Sequence, residues 1–171
     1  MSSILIDHKI TFLSGRPSSG KTRESIEICN RLLGKNWKII YYHAEGLLNA
    51  SPSAYGASNP DQLQNIQLIL DIYFSLDDLT ALITNLSKNK DCTGILVVID
   101  YLELFDCEPT DFLQTINCFS ANDNLHFLIL TQIPRYLERK TKEHAEEYIR
   151  SIYPTKMDHQ IKILGKFEGD E

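Results

Sequence analysis

Cysteine is sparse in this sequence and never closely spaced. Cys29, Cys92, Cys107 and Cys118 stand far apart with no C-x-x-C pair, which argues against a thiolate zinc site and fits reduced thiols in a cytoplasmic protein. Long apolar runs are missing as well: a segment such as "GILVVI" (94–99) is far too short to span a bilayer. The opening "MSSILIDHKI" has neither the basic leader nor the long apolar core of a secretory signal. Positive charge is not in excess. Seventeen Lys and Arg face 23 Asp and Glu for a net −6, which argues against indiscriminate coating of nucleic acid but leaves room for a local basic patch. No internal repeat and no low-complexity tract breaks the chain. The expectation is a soluble, cytoplasmic protein with no membrane partner, a single domain over residues 1–171 with a sizeable core.

What is present alternates between two periodicities. "HKITFLS" (8–14), "WKIIYY" (37–42), "IQLILDIYF" (66–74), "GILVVID" (94–100), "HFLILTQ" (126–132) and "HQIKILGKF" (159–167) read as strands, apolar and rich in β-branched or aromatic residues. Helices fit between them. One runs from Lys21 to about Leu33, with Gly34 as its stop. Another starts at Ser75, with Asp78 completing a capping box. Pro109 opens a third at a position where its missing N–H costs nothing, and a polar helix covers about 136–150. Residues 46–62, "GLLNASPSAYGASNPDQ", collect Gly, Pro, Ser and Asn and read as a mobile loop within the same fold. Strands alternating with helices predict an α/β fold, a mostly parallel central sheet flanked by helices on both faces.

In such sheets ligands bind beyond the carboxyl ends of the strands, so what each strand delivers there carries the chemistry. The first delivers "GRPSSGKT" (15–22), in which Gly15-x-x-x-x-Gly20-Lys21-Thr22 fits the phosphate-binding loop at every position. Successive N–H groups and a helix start make an anion cradle. Lys21 adds a cation for the β- and γ-phosphates, and Thr22 offers its hydroxyl to Mg²⁺. A chance match on a glycine turn is the alternative, and the flanking strand and helix speak against it. Asp100 ends the most apolar strand, where a bound magnesium would offset the cost of burying its charge; a purely structural aspartate is the competing reading. Glu45, after the second strand, is placed to orient a water on the γ-phosphate, unless it is a solvated loop residue. Gln132, beside Thr131, ends another strand as a γ-phosphate sensor or simply a satisfied polar terminus. His43-Ala44-Glu45 also matches half of a zinc-deaminase signature, but no P-C-x-x-C follows.

Together these pieces resemble the RecA-like motor domain of DnaB-family replicative helicases over about residues 9–140. "GRPSSGKT" looks like that family's phosphate loop, "IIYYHAEG" (39–46) its second strand and catalytic glutamate, and "LILDIYFSLDDLTALI" (68–83) the segment leading into the next helix. "ILVVIDYLELF" (95–105) is very like its Walker B strand, and "LILTQIPRYLERK" (128–140) its glutamine-bearing motif, with Arg135 at the arginine. The resemblance implies ATP with Mg²⁺ as ligand. Gly15, Arg16, Pro17, Ser18, Ser19, Gly20, Lys21, Thr22 and Arg23 would hold the nucleotide, Thr22 and Asp100 the metal, and Glu45, Lys21 and Gln132 would act in catalysis.

Departures from the family matter as much. The expectation is a motor-type domain without that family's N-terminal helicase domain and linker helix. The family's basic K-x-R-x-G element is reduced to "GKFEGDE" (165–171), keeping Lys166 without the arginine. "FDCEPTDF" (105–112) is acidic where DNA-facing loops would begin and would repel phosphate. Arg135, Arg139, Lys140 and Lys142 alternate with Glu138, Glu143, Glu146 and Glu147, which reads as a salt-bridged solvated helix. The expected function is therefore a weak or partner-stimulated ATPase linked to replication or helicase work, not an autonomous helicase. A nucleotide-dependent adaptor binding a protein partner, or a small-molecule P-loop kinase with an arginine lid in 135–150, are the alternatives. A homo-oligomer and DNA binding stay open.

Overall fold

The computed structural model describes residues 6–43, 51–71, 73–88, 90–119, 121–153 and 159–167. Six strands form one all-parallel sheet: β1 (Ile10–Gly15), β2 (Trp37–His43), β3 (Ile66–Ile69), β4 (Gly94–Asp100), β5 (Leu125–Gln132) and β6 (Gln160–Leu164). Their order across the sheet is β3-β2-β4-β5-β1-β6. The strand bearing the glycine loop is thus separated from the strand bearing Asp100 by β5, a gap of two strand spacings or about 10 Å. Into that gap β5 delivers Gln132, in register with Gly15.

Both faces of the sheet are covered, as unbroken apolar strands require. Alternate residues serve alternate layers. On one face Phe12, Ile40, Val97, Ile99, Phe127 and Ile129 pack beneath α3 (Leu76–Leu86), α4 (Pro109–Asn117) and α5 (Lys142–Ile152). On the other, Leu13, Ile39, Tyr41, Leu96, Val98 and Leu128 meet α1 (Lys21–Leu33) and the segment around Tyr55. Among the described residues no helix is long and apolar enough to cross a membrane.

The helix signals are realised with one difference. Ser75 and Asp78 form the reciprocal capping box of α3, and Pro109 opens α4. The polar helix expected over 136–150 instead starts at Lys142, with Arg135–Arg139 a separate 3₁₀ turn. Pro134 and Thr141 both hold extended backbone, and each interrupts the helical path. Within α5, Arg150 and Glu146 meet at 2.9 Å, one turn apart, a pair outside the expected set. The third strand is shorter than "IQLILDIYF" promised, leaving the sheet after Ile69.

The segment expected to be a mobile loop needs a clearer correction. Residues 46–50 lie outside the described residues, whereas 51–62 form ordered turns. Pro52–Tyr55 is a 3₁₀ turn and α2 (Pro60–Leu63) a single helical turn capped by Asn59. Composition suggested a loose loop, yet Tyr55 and Ala57 are buried in the core, at 1% and 4% exposure. Tyr55 packs against Tyr41 with ring centroids 4.6 Å apart and the rings tilted by 59°. Gly56, at φ +103°, lets the chain lie directly on the backbone of α1.

Candidate nucleotide-binding site

The glycine loop leaves β1 at Gly15 and enters α1 at Lys21. Both glycines are sterically required. A Cβ on Gly15 would stand 2.5 Å from Ser19 Oγ and 2.8 Å from the Leu164 carbonyl, while Gly20 holds φ +91° as the N-cap of α1. Ser18 also takes a positive φ, 63°. The turn between is closed by Ser19 N–H donating to the Arg16 carbonyl at 3.2 Å. Gly20 offers the start of α1 no capping side chain, so its first N–H groups keep the anion-binding character of a helix N-terminus. Ser19 Oγ is buried with no partner among the described residues. Arg16, Pro17 and Ser18 are exposed, and with Arg135 they line an open cleft of about 350 Å³. Arg23, also exposed, faces Glu27 at 4.0 Å.

Lys21 is the hub. It is only 2% exposed, and its Nζ donates to the carbonyls of Gly15 at 2.9 Å and Arg16 at 2.7 Å. The ammonium lies 5.6 Å from the centroid of the Tyr101 ring. Burial pulls its pKa below the ordinary lysine value, and the negative charges of Glu103 and Asp100 oppose that pull. Both carboxylates therefore act on the same cation.

Asp100 is fully buried at the tip of β4, level with His43 on β2 and Leu130 on β5. Tyr41 Oη donates to its Oδ2 at 2.8 Å, His43 Nε2 lies 3.9 Å from the same oxygen, and the Tyr101 N–H reaches Oδ1 at a long 3.4 Å. Gln132 is half-buried beside the loop, and its backbone N–H donates to Glu103 Oε1 at 2.7 Å. Thr131 Oγ1 and Ser14 Oγ, on neighbouring strands, are hydrogen-bonded at 2.5 Å. Gly15 to Arg23, Asp100 and Gln132 thus share one edge of the sheet. Glu45, the expected base, lies outside the described residues.

Hard oxygen donors, one hydroxyl and one carboxylate, fit Mg²⁺. Among the described residues no three His, Cys, Asp or Glu side chains cluster to hold a metal by themselves. Thr22 and Asp100 would therefore share the ion with nucleotide phosphates, the usual arrangement for magnesium.

Three residues of the site were not singled out from sequence. Glu103 follows Asp100 by three positions, and a 3₁₀ turn at Leu102–Leu104 swings it back towards Lys21 and Gln132. Its side chain keeps contact with solvent, but desolvation by the surrounding protein raises its pKa above the ordinary glutamate value, partly countered by the Gln132 N–H and by Lys21. A signal was available, since a second acid so close to a strand-ending aspartate is worth marking. Tyr41 and Ser25 gave none, because one reads as a strand aromatic and the other as an ordinary helix residue.

No family model matches this sequence, and no curated protein matches it. Solved structures do. An ATPase domain aligns with a TM-score of 0.57 at 15% identity, covering 80% of this chain and 61% of that one. A DnaB-like replicative helicase, solved for its interactions with primase, aligns with a TM-score of 0.54 at 16% identity, covering 78% of this chain and 42% of that one. This chain thus spans less than two thirds of either. At such identities the likeness is one of fold. With its six parallel strands and helices on both faces, the chain has the α/β fold of the RecA-like P-loop ATPase domains, those of DnaB-type helicases among them.

Proposed function

We propose that this chain is a cytoplasmic P-loop ATPase domain that binds ATP with Mg²⁺ and turns it over slowly unless a partner stimulates it. The observation that carries the reading is the position of Lys21. A nearly buried ammonium, hydrogen-bonded to two carbonyls of its own loop and within the electrostatic reach of two carboxylates, is a charge kept where a polyphosphate would meet it. Nucleotide phosphates would replace the Gly15 and Arg16 carbonyls as its partners and take the N–H groups at the start of α1. Thr22 and Asp100 would hold the metal, which supplies charge neutralisation for the transferring phosphoryl group. Glu45 is assigned the attacking water, and Gln132 the reporting of the γ-phosphate to the tip of β5.

Slow turnover follows from the sequence: the basic element after β6 lacks its arginine, and an arginine finger is worth roughly 10³–10⁵ in rate. A role alongside a replication helicase, acting with a protein partner or a second copy, rests on the likeness to DnaB-type domains. Single-stranded DNA is a weaker candidate ligand, given the acidic 105–112 segment. The adaptor reading is favoured by one observation, the packing of the 51–58 segment onto both α1 and Tyr41, which ties the nucleotide helix to a surface element. Phosphate release by wild type and Glu45→Gln, alone and with single-stranded DNA, separates the two. Turnover that DNA accelerates and Glu45→Gln abolishes supports the ATPase. Binding with no turnover under either condition supports the adaptor.

A further inference from the structure

Beneath the site runs a chain of buried hydroxyls that the phosphate-loop chemistry does not require. Tyr41 Oη donates to Asp100 Oδ2 at 2.8 Å, Ser25 Oγ lies 2.6 Å from Tyr41 Oη, and Ser25 Oγ also reaches the Thr22 carbonyl at 2.7 Å. Ser25, Tyr41 and Asp100 are each 0% exposed. The chain crosses three elements, from β4 through β2 to the first turn of α1. Its two ends are the residues assigned to the metal.

We propose that Tyr41, with Ser25 behind it, is a positioning residue for magnesium: a hidden hydroxyl bridge that fixes the Asp100 carboxylate relative to the helical turn carrying Thr22. The inference rests on the reading of Asp100 and Thr22 as the metal-holding pair. Tyr41 engages Oδ2 from within the protein, and among the described residues Oδ1 meets the Tyr101 N–H at a long 3.4 Å, which leaves Oδ1 the better placed of the two to serve an ion. The tyrosine itself cannot drift. Its ring is packed against Tyr55 at 4.6 Å and lies parallel to His43 at 6.5 Å.

Proton bookkeeping sets the roles apart. Three contacts share two hydroxyl protons. Tyr41 spends its own on Asp100, so the Ser25 proton serves either the Tyr41 oxygen or the Thr22 carbonyl. Loss of the tyrosine hydroxyl should therefore matter more than loss of the serine hydroxyl. Partners of this kind, one step removed from the ion, typically change metal affinity by about 10–100-fold.

The test is the ratio of ATP affinities with Mg²⁺ and with EDTA, measured for wild type, Tyr41→Phe and Ser25→Ala. Phenylalanine keeps the ring contacts and removes only the donor. The expected result is that the magnesium-dependent gain in affinity falls about tenfold in Tyr41→Phe. Ser25→Ala should show a smaller loss, and affinity in EDTA should stay within about twofold for both. A role confined to filling the core would weaken binding equally with and without Mg²⁺, and that outcome overturns the proposal. Should Tyr41→Phe fail to fold, Ser25→Ala decides: an unchanged ratio refutes the bridge. Wild type that binds ATP identically with Mg²⁺ and EDTA removes the metal pair and this inference together, while leaving the phosphate loop standing. Wild type that binds no ATP in either condition refutes the nucleotide reading and this inference with it.

Discussion

Replacing Gly56 by alanine tests the corrected reading of the 51–63 segment. Gly56 has φ +103°, and a Cβ built there would lie 2.9 Å from Asn30 N, 3.0 Å from the Ile26 carbonyl and 3.2 Å from Asn30 Cα. All three atoms are backbone of α1, which cannot rotate aside as a side chain would. An L-residue in the left-handed region costs about 1–2 kcal/mol, and forcing packed backbone apart adds roughly 1–3 kcal/mol. Taking about 3 kcal/mol as the sum, a chain of this length should lose roughly 6–12 °C in Tm. Gly34→Ala is the matched control. Gly34 has φ −66°, and its Cβ would come no closer than 3.5 Å to the Arg31 carbonyl, so alanine should stabilise by about 0.4–1 kcal/mol through the unfolded state. Thermal and urea unfolding of both variants provide the assay. If Gly56→Ala melts within a degree or two of wild type, residues 51–58 do not lie on α1 and the segment is the loose loop its composition suggests.

Three further outcomes follow from single groups. Glu103 has a pKa above the ordinary glutamate value of 4.5, so its contribution to stability is present at acid pH and lost as pH rises through the folded value. Glu103→Gln should raise Tm at pH 7 but not at pH 4, and tighten ATP binding by removing a negative charge beside Lys21; equal Tm gains at both pH values would contradict this. Burial holds His126 below 6.5, and its Nδ1 donates to the His8 carbonyl at 2.9 Å. The unfolded chain therefore takes up the proton first, stability falls as pH drops below 6.5, and His126→Gln should flatten the Tm profile between pH 5 and 7. Tyr55 Oη is buried with no partner among the described residues, so Tyr55→Phe should be neutral or stabilising by about 1 kcal/mol. A clear loss of stability in urea would mean that the hydroxyl is bonded after all.

The glycine turn between β1 and α1, the Asp100 strand and the Ser75 cap were readable because each is a local pattern. A glycine template, an unbroken apolar run and an i, i+3 pair need no knowledge of the rest of the chain. What escaped depends on distance in sequence. That β5 lies between β1 and β4 follows from tertiary pairing, and so does the meeting of Tyr41 with Asp100 across 59 positions. Residues 51–62 misled because Gly, Pro, Ser and Asn report turn chemistry faithfully but say nothing about burial. One aromatic, Tyr55, was enough to anchor the segment. The start of the polar helix was misjudged for a related reason: charge alternation marks a solvated face, whereas Pro134 and Thr141 decide where the helix begins.

The account turns on whether Lys21 meets a triphosphate. Equilibrium titration of ATP, with Mg²⁺ and with EDTA, onto wild type and Lys21→Ala, paired with native mass measurement, tests this most directly. One nucleotide per chain is expected, held more tightly with Mg²⁺, with affinity falling on the order of 100-fold in Lys21→Ala, as truncating one partner of a buried charge pair does. Absence of binding to a folded wild type, or equal binding by Lys21→Ala, would contradict it.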